Sequence, residues 1–229
     1  MTLSGTGKFD YVTSLHGKTP DLSNADEARS TPDARHREAP RILLTGAPGV
    51  GKTTLVSRIA AELQARGIVV AGFTSRELRE RGERVGFQVE AIGGGSAVMA
   101  HVGFTEGPRV GRYRVDVPAF ERIALPAIER ATRADGVAVI DELGRMELYS
   151  GAFVHAVQRL FDQDVPVAAT VHARSHPLTD ALRQRPGIEQ LTVTRAAYEE
   201  LLARVTARLL GAMRDVPSHR KEEGPHPKP

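Results

Sequence analysis

Cysteine and tryptophan are both absent from these 229 residues. Without cysteine there is no disulfide framework, no thiolate zinc site and no cysteine nucleophile. Aromatic residues make up only 5% of the chain, so aliphatic side chains must supply most of any core. No run approaches the roughly 18 consecutive apolar residues that a membrane helix needs. The opening MTLSGTGKFD has no apolar h-region, so a cleaved secretory signal is not expected. Together with the missing cysteines, this makes a cytoplasmic protein the expectation. Lysine is scarce as well: 5 residues against 26 arginines, with Lys52 alone between Lys18 and Lys221. One position in the middle of the chain has kept a compact, strongly hydrated ammonium where every other cation is a guanidinium fork.

Hydrophobic residues account for 41% and charged residues for 26%, the balance of a chain that buries a real core. The formal net charge of +3 points only mildly to polyanionic ligands. Residues 1–40 and 215–229 are rich in polar residues, Pro and charges and carry no periodicity, so both read as disordered tails. Residues 41–214 read as one domain. Monomer or weak oligomer is the expected state.

Short β-branched runs at Ile42–Thr45, Ile68–Thr74, Val137–Asp141, Val167–Val171 and Leu191–Val193 suit strands buried on both faces. Helical patterns alternate with them. Lys52–Arg66 aligns Leu55, Val56, Ile59 and Leu63, and Gly67 supplies a stop. Pro118 opens a second helix that Pro126 is expected to kink. Ser150 and Thr194 are candidate N-caps of two more. Alternation of this kind predicts an α/β fold: a parallel sheet with helices on both sides. Residues 84–116 break the rhythm and read as an antiparallel excursion around Gly93-Gly94-Gly95.

The strongest motif is GAPGVGKT, Gly46 to Thr53, complete for G-x-x-x-x-G-K-[ST] and set between an apolar strand and an amphipathic helix. Such a loop needs backbone N–H groups converging on phosphate oxygens, which the glycines at 46, 49 and 51 permit. The helix that follows aims its partial positive charge at the same anion. The candidate nucleotide-binding residues are therefore Gly46, Ala47, Pro48, Gly49, Val50, Gly51, Lys52, Thr53 and Thr54. Lys52 would reach the β- and γ-phosphates, and the Thr53 hydroxyl would ligate Mg²⁺. VAVIDE, Val137 to Glu142, is an apolar strand that delivers acids to the carboxyl edge of the sheet. There Asp141 would hold Mg²⁺ and Glu142 would deprotonate an attacking water, with Glu147 the next acid to consider for that task.

Other candidates carry less. Thr170 ends a strand and could meet the γ-phosphate or be a core hydroxyl. Arg145 and Arg174 follow strand ends and could neutralise transition-state charge, although solvated surface is the simpler reading. His172 and His176 do not form a helical metal pair, because Pro177 follows. The run Arg76–Arg84 interleaves Arg with Glu and reads first as salt-bridged surface, second as a nucleic-acid patch.

Four blocks occur in order: GAPGVGKTTL, GFTSRELRERGERVGF, VGRYRVDVPAFERIALPAI and VIDELGRMEL. In these blocks the chain resembles the small nucleoside-triphosphatase family of the thermophilic and human cancer-related type. Arg79, Glu80, Arg84, Gly86 and Phe87 match that family's second block, while Thr74 stands where it has Tyr and Arg145 where it has Lys. The resemblance implies a three-layer, P-loop, RecA-type fold with a mostly parallel sheet of order 5-1-4-3-2. It also implies Mg²⁺-dependent, broad-specificity hydrolysis of ATP, GTP and other NTPs to NDP and phosphate. A nucleoside or nucleotide kinase, or a nucleotide-dependent RNA- or protein-binding switch, remains an alternative at this stage.

Overall fold

A computed structural model describes residues 38–214. The tails expected to be disordered, 1–37 and 215–229, lie outside the described residues. Residues 38–40 do not: Ala39 N–H donates to Asp164 Oδ1 at 2.8 Å, and the Pro40 carbonyl accepts from Val167 N–H at 2.8 Å. Ala39 and Pro40, which the sequence reading placed in the tail, are thus bonded to the folded body.

The elements in chain order are β1 (Arg41–Thr45), α1 (Lys52–Ala65), β2 (Val69–Glu80), β3 (Glu83–Ala91), β4 (Ser96–His101), β5 (Arg109–Val110) and β6 (Tyr113–Val115). Then follow α2 (Val117–Arg133), β7 (Gly136–Leu143), a 3₁₀ turn (Glu147–Tyr149), α3 (Gly151–Asp162), β8 (Val167–Val171), α4 (Pro177–Gln184), β9 (Ile188–Thr192) and α5 (Tyr198–Arg214). No helix among the described residues is long and apolar enough to cross a membrane.

The nine strands of the described residues join one sheet in the order β5-β6-β4-β3-β2-β7-β8-β1-β9. The expected mostly parallel, five-strand description does not fit it. Pairings β2–β7, β7–β8, β8–β1 and β1–β9 are parallel, and β2–β3, β3–β4, β4–β6 and β6–β5 are antiparallel, so the sheet is mixed. The physical reason lies in β2. Val69–Phe73 pair with β7, but the strand continues to Glu80, and its outer half finds its ladder partner in β3. The antiparallel excursion therefore extends the same sheet instead of standing apart from it. Its charged run is both strand and salt-bridged surface, with Arg79 and Arg84 on Glu77 and Arg76 on Glu90.

Side-chain alternation along the central strands feeds two cores. Ile42, Leu44, Val137 and Val139 pack with Leu55, Ile59, Leu63 of α1 and Leu202, Val205, Leu209 of α5. Leu43, Ala138 and Ile140 face the other way, onto α2 and α3. There Phe73, Phe120 and Phe153 meet edge to face at centroid distances of 5.6, 5.7 and 5.0 Å. Two helical layers thus enclose the sheet. α2 runs uninterrupted through Pro126, with Asp116 accepting from Ala119 N–H at its start. Ser150 caps α3 through Phe153 N–H, as the sequence predicts. Thr194 accepts from Ala197 N–H, one turn before α5 begins.

Candidate active site

β1 ends at Thr45, and the chain turns through Gly46–Gly51 into α1. Gly46, Gly49 and Gly51 have φ of 155°, 73° and 103°. At Gly46 a Cβ would sit 2.7 Å from the Val193 carbonyl beyond β9, so the loop lies too close to the sheet for any side chain. Gly51 is the N-cap of α1 and offers no side-chain acceptor, so the first-turn N–H groups are left for another anion. Ala47, Pro48, Gly49, Thr53 and Thr54 are exposed, while Val50 packs on the core and anchors the loop. Lys52 Nζ donates to the Gly46 carbonyl at 3.2 Å, which spans the ammonium across the loop.

The acids lie two strands away, at the end of β7. Asp141 is fully buried. Its two oxygens are held separately, Oδ1 by Thr170 Oγ1 at 2.6 Å and Oδ2 by Ser75 Oγ at 3.2 Å. Three neighbouring strands, β2, β7 and β8, thus fix one carboxylate. Thr170 was legible as a strand-end hydroxyl. Ser75 was not, because nothing in its local sequence says that β2 will bring it beside a residue 66 positions later.

Glu142 sits half-buried next to Asp141. Loss of solvation pushes its carboxyl up, the Asp141 charge adds to that, and the Lys52 ammonium opposes both. Lys52 is therefore within electrostatic reach of the β7 end. Glu147 is buried in the 3₁₀ turn, and desolvation first, then Glu142 and Asp141, raise it to about 8. Gly144 separates the two glutamates: a Cβ there would lie 2.7 Å from Glu147 Oε2 and 3.3 Å from Glu142 Oε1. Glu147 is thus mostly protonated at neutral pH.

The oxygen donors fit a hard divalent cation. A buried carboxylate and an exposed Thr53 hydroxyl suit Mg²⁺, which keeps water and phosphate oxygens as its remaining ligands. No cluster of three or more His, Cys, Asp or Glu able to hold a metal alone occurs among the described residues. The Nδ1 atoms of His172 and His176 accept from Arg174 and Leu178 N–H. Arg145 and Arg174 are exposed.

This geometry has counterparts of known kind. A family model described as NTPase matches residues 41–206. The chain belongs to the NTPase family. Nucleoside-triphosphatase THEP1 of Thermofilum pendens is 45% identical over 159 residues, 68% of this chain and 87% of that protein. The cancer-related nucleoside-triphosphatase homolog of Mus musculus is 36% identical over 179 residues, 72% of this chain and 94% of its own. Among solved structures, THEP1 from Aquifex aeolicus aligns with a TM-score of 0.68 at 36% identity, covering 74% of this chain and 98% of that one. The human cancer-related nucleoside triphosphatase aligns with a TM-score of 0.67 at 33% identity, over 76% and 98%. As a member of the NTPase family, the chain carries the loop and both acids at one edge of its sheet.

Proposed function

We propose that this nucleoside-triphosphatase hydrolyses ATP, GTP and other NTPs to NDP and phosphate, with Mg²⁺ as the required cation. The observation that supports the reading best is electrostatic. Lys52, held across an uncapped helix start, acts on a carboxylate that stands beside a buried, hydroxyl-clamped aspartate. The loop N–H groups and Lys52 take the β- and γ-phosphates. Thr53 and Asp141 are the residues that would hold Mg²⁺, which when bound neutralises phosphate charge.

The Thr170 and Ser75 hydroxyls lock Asp141 in one orientation. Glu142 accepts the proton of a water whose oxygen attacks the γ-phosphorus. As that bond forms, the bond from the γ-phosphorus to the β-bridging oxygen breaks, and NDP leaves with the electron pair. Partial desolvation makes Glu142 a stronger base than a free glutamate, which suits the task. No base-specific contact enters this scheme, so breadth across NTPs is expected. The test is phosphate release from the eight common ribo- and deoxyribonucleotides, with Mg²⁺ and with chelator, and no added acceptor. Release from several substrates that stops with chelator supports the reading. Release only when a second substrate is added would replace it with phosphoryl transfer.

A further inference from the structure

Beside the acids, a cleft of about 270 Å³ opens between the segments that follow β7 and β8. Leu148 and Tyr149 give it an apolar wall, and Arg145, Arg174 and His172 line its polar side. Neither Arg145 nor Arg174 forms an ion pair among the described residues. The neighbouring Arg183, by contrast, is held by Asp180 and the His172 carbonyl. His172 is pushed below the usual histidine range, by burial first and then by Arg174, Lys52, Arg145 and Arg183. Its neutral ring accepts from Arg174 N–H at Nδ1, which leaves Nε2–H as a donor. Two guanidinium groups without an ion pair among the described residues and an imidazole N–H, all lining one cleft, are donors suited to an oxyanion.

On the nucleotide reading, the cleft adjoins the γ-phosphate end of the substrate. In a linear triphosphate the γ-phosphate must lie nearest Glu142, so the α-phosphate, ribose and base extend away from it. Leu143 and Gly144, the two residues that follow Glu142, line the cleft. Its volume is somewhat below the roughly 300 Å³ at which typical small-molecule sites begin, yet larger than a bare phosphate needs.

We propose that this cleft is a second binding site, for a phosphomonoester. Arg145 and Arg174 grip its dianionic phosphoryl group, and its small organic body lies on Leu148 and Tyr149. The proposal rests on the nucleotide reading of the adjoining loop, and its test separates the two.

The full chain is saturated with Mg²⁺ and a non-hydrolysable ATP analogue, and orthophosphate or adenosine 5′-monophosphate is then titrated in by calorimetry. One equivalent of the monophosphate should bind, more tightly than orthophosphate. In the double variant Arg145→Gln/Arg174→Gln that affinity should fall at least about tenfold, the loss of charge-assisted hydrogen bonds, while the analogue's own affinity changes far less. Lys52→Ala without analogue should lose triphosphate binding and keep the monophosphate in the cleft. Absence of monophosphate binding to the loaded protein overturns the proposal, as does binding that survives the double variant. Binding of orthophosphate alone assigns the cleft to released product and overturns the phosphomonoester. If the wild-type chain fails to bind the analogue at all, the nucleotide reading has failed instead. The Lys52→Ala titration then still decides the cleft.

Discussion

Two adjacent acids at the end of β7 stand in different surroundings, and the proposed mechanism divides the work between them on that difference. Asp141 is fully buried and clamped by Thr170 and Ser75, so it can hold a cation but not move. Glu142 is half-buried and its carboxyl is raised, mainly by lost solvation. Asp141→Asn should therefore weaken Mg²⁺ and triphosphate binding together, because the two enter as one complex. Glu142→Gln should bind Mg²⁺·NTP as well as wild type while turnover falls, on the order of 10²–10⁴ if general-base catalysis is its whole role. Equilibrium binding and single-turnover hydrolysis of both variants check this, and wild-type hydrolysis by Glu142→Gln would return Glu142 to a structural role. Glu147 supplies a second residue-scale prediction. Its carboxyl titrates near 8 in the folded chain against 4.5 for the free group, so the folded state binds the extra proton. Stability contributed this way is full below about pH 4.5 and is lost as pH rises towards 8. Glu147→Gln removes that titration. Its melting temperature should rise relative to wild type between pH 5 and pH 9, and a pH-independent difference would show that Glu147 is not held protonated.

At the scale of elements, β2 is the piece that couples the parallel and antiparallel halves of the sheet. Gly72 lies in register with Val139 at φ of 113°, where an added Cβ would come 1.9 Å from the Val139 carbonyl. Gly72→Ala must push β2 off β7 or strain the backbone, at a cost of about 3 kcal/mol or more. That corresponds to a melting temperature lower by roughly 6–12 °C. An unchanged melting temperature would mean that the two strands approach less closely. The same strand shows why parts of the fold were legible and others not. β1, α1, β7, α3 and β8 declare themselves locally, through apolar runs and through the Ser150 cap. The outer half of β2 does not, because Arg76 to Glu80 carry the charges of a surface and their strand character comes from pairing with β3. Likewise α4 follows a loop-like HARSH segment and starts at Pro177, with His176 accepting from Leu178 N–H. Gly46–Thr53, Asp141 and Glu142 could be read because each belongs to a contiguous motif. Ser75 could not, since its role exists only once β2 and β7 are neighbours.

For the whole molecule, the sheet with its two helical layers is the unit that must survive for the site to exist. α1 and α5 close one face of the sheet, and α2 and α3 close the other. Phosphate loop and acids sit on opposite sides of β8, since the order β7-β8-β1 puts one strand between them. Their spacing is therefore set by the core of the sheet. The Aquifex aeolicus THEP1 structure aligns over 98% of its own length with 74% of this chain, so the shared fold lies within the core. Residues 38–40 must be retained, because Ala39 and Pro40 bond to Asp164 and Val167 at the start of β8. We expect residues 38–214 expressed alone to melt cooperatively within a few degrees of the full chain and to keep its kcat and KM for ATP. Calorimetry and phosphate release on the two chains make the comparison. A large fall in melting temperature would show that a terminal segment packs on the core. A fall in kcat at unchanged melting temperature would place part of that segment over the site.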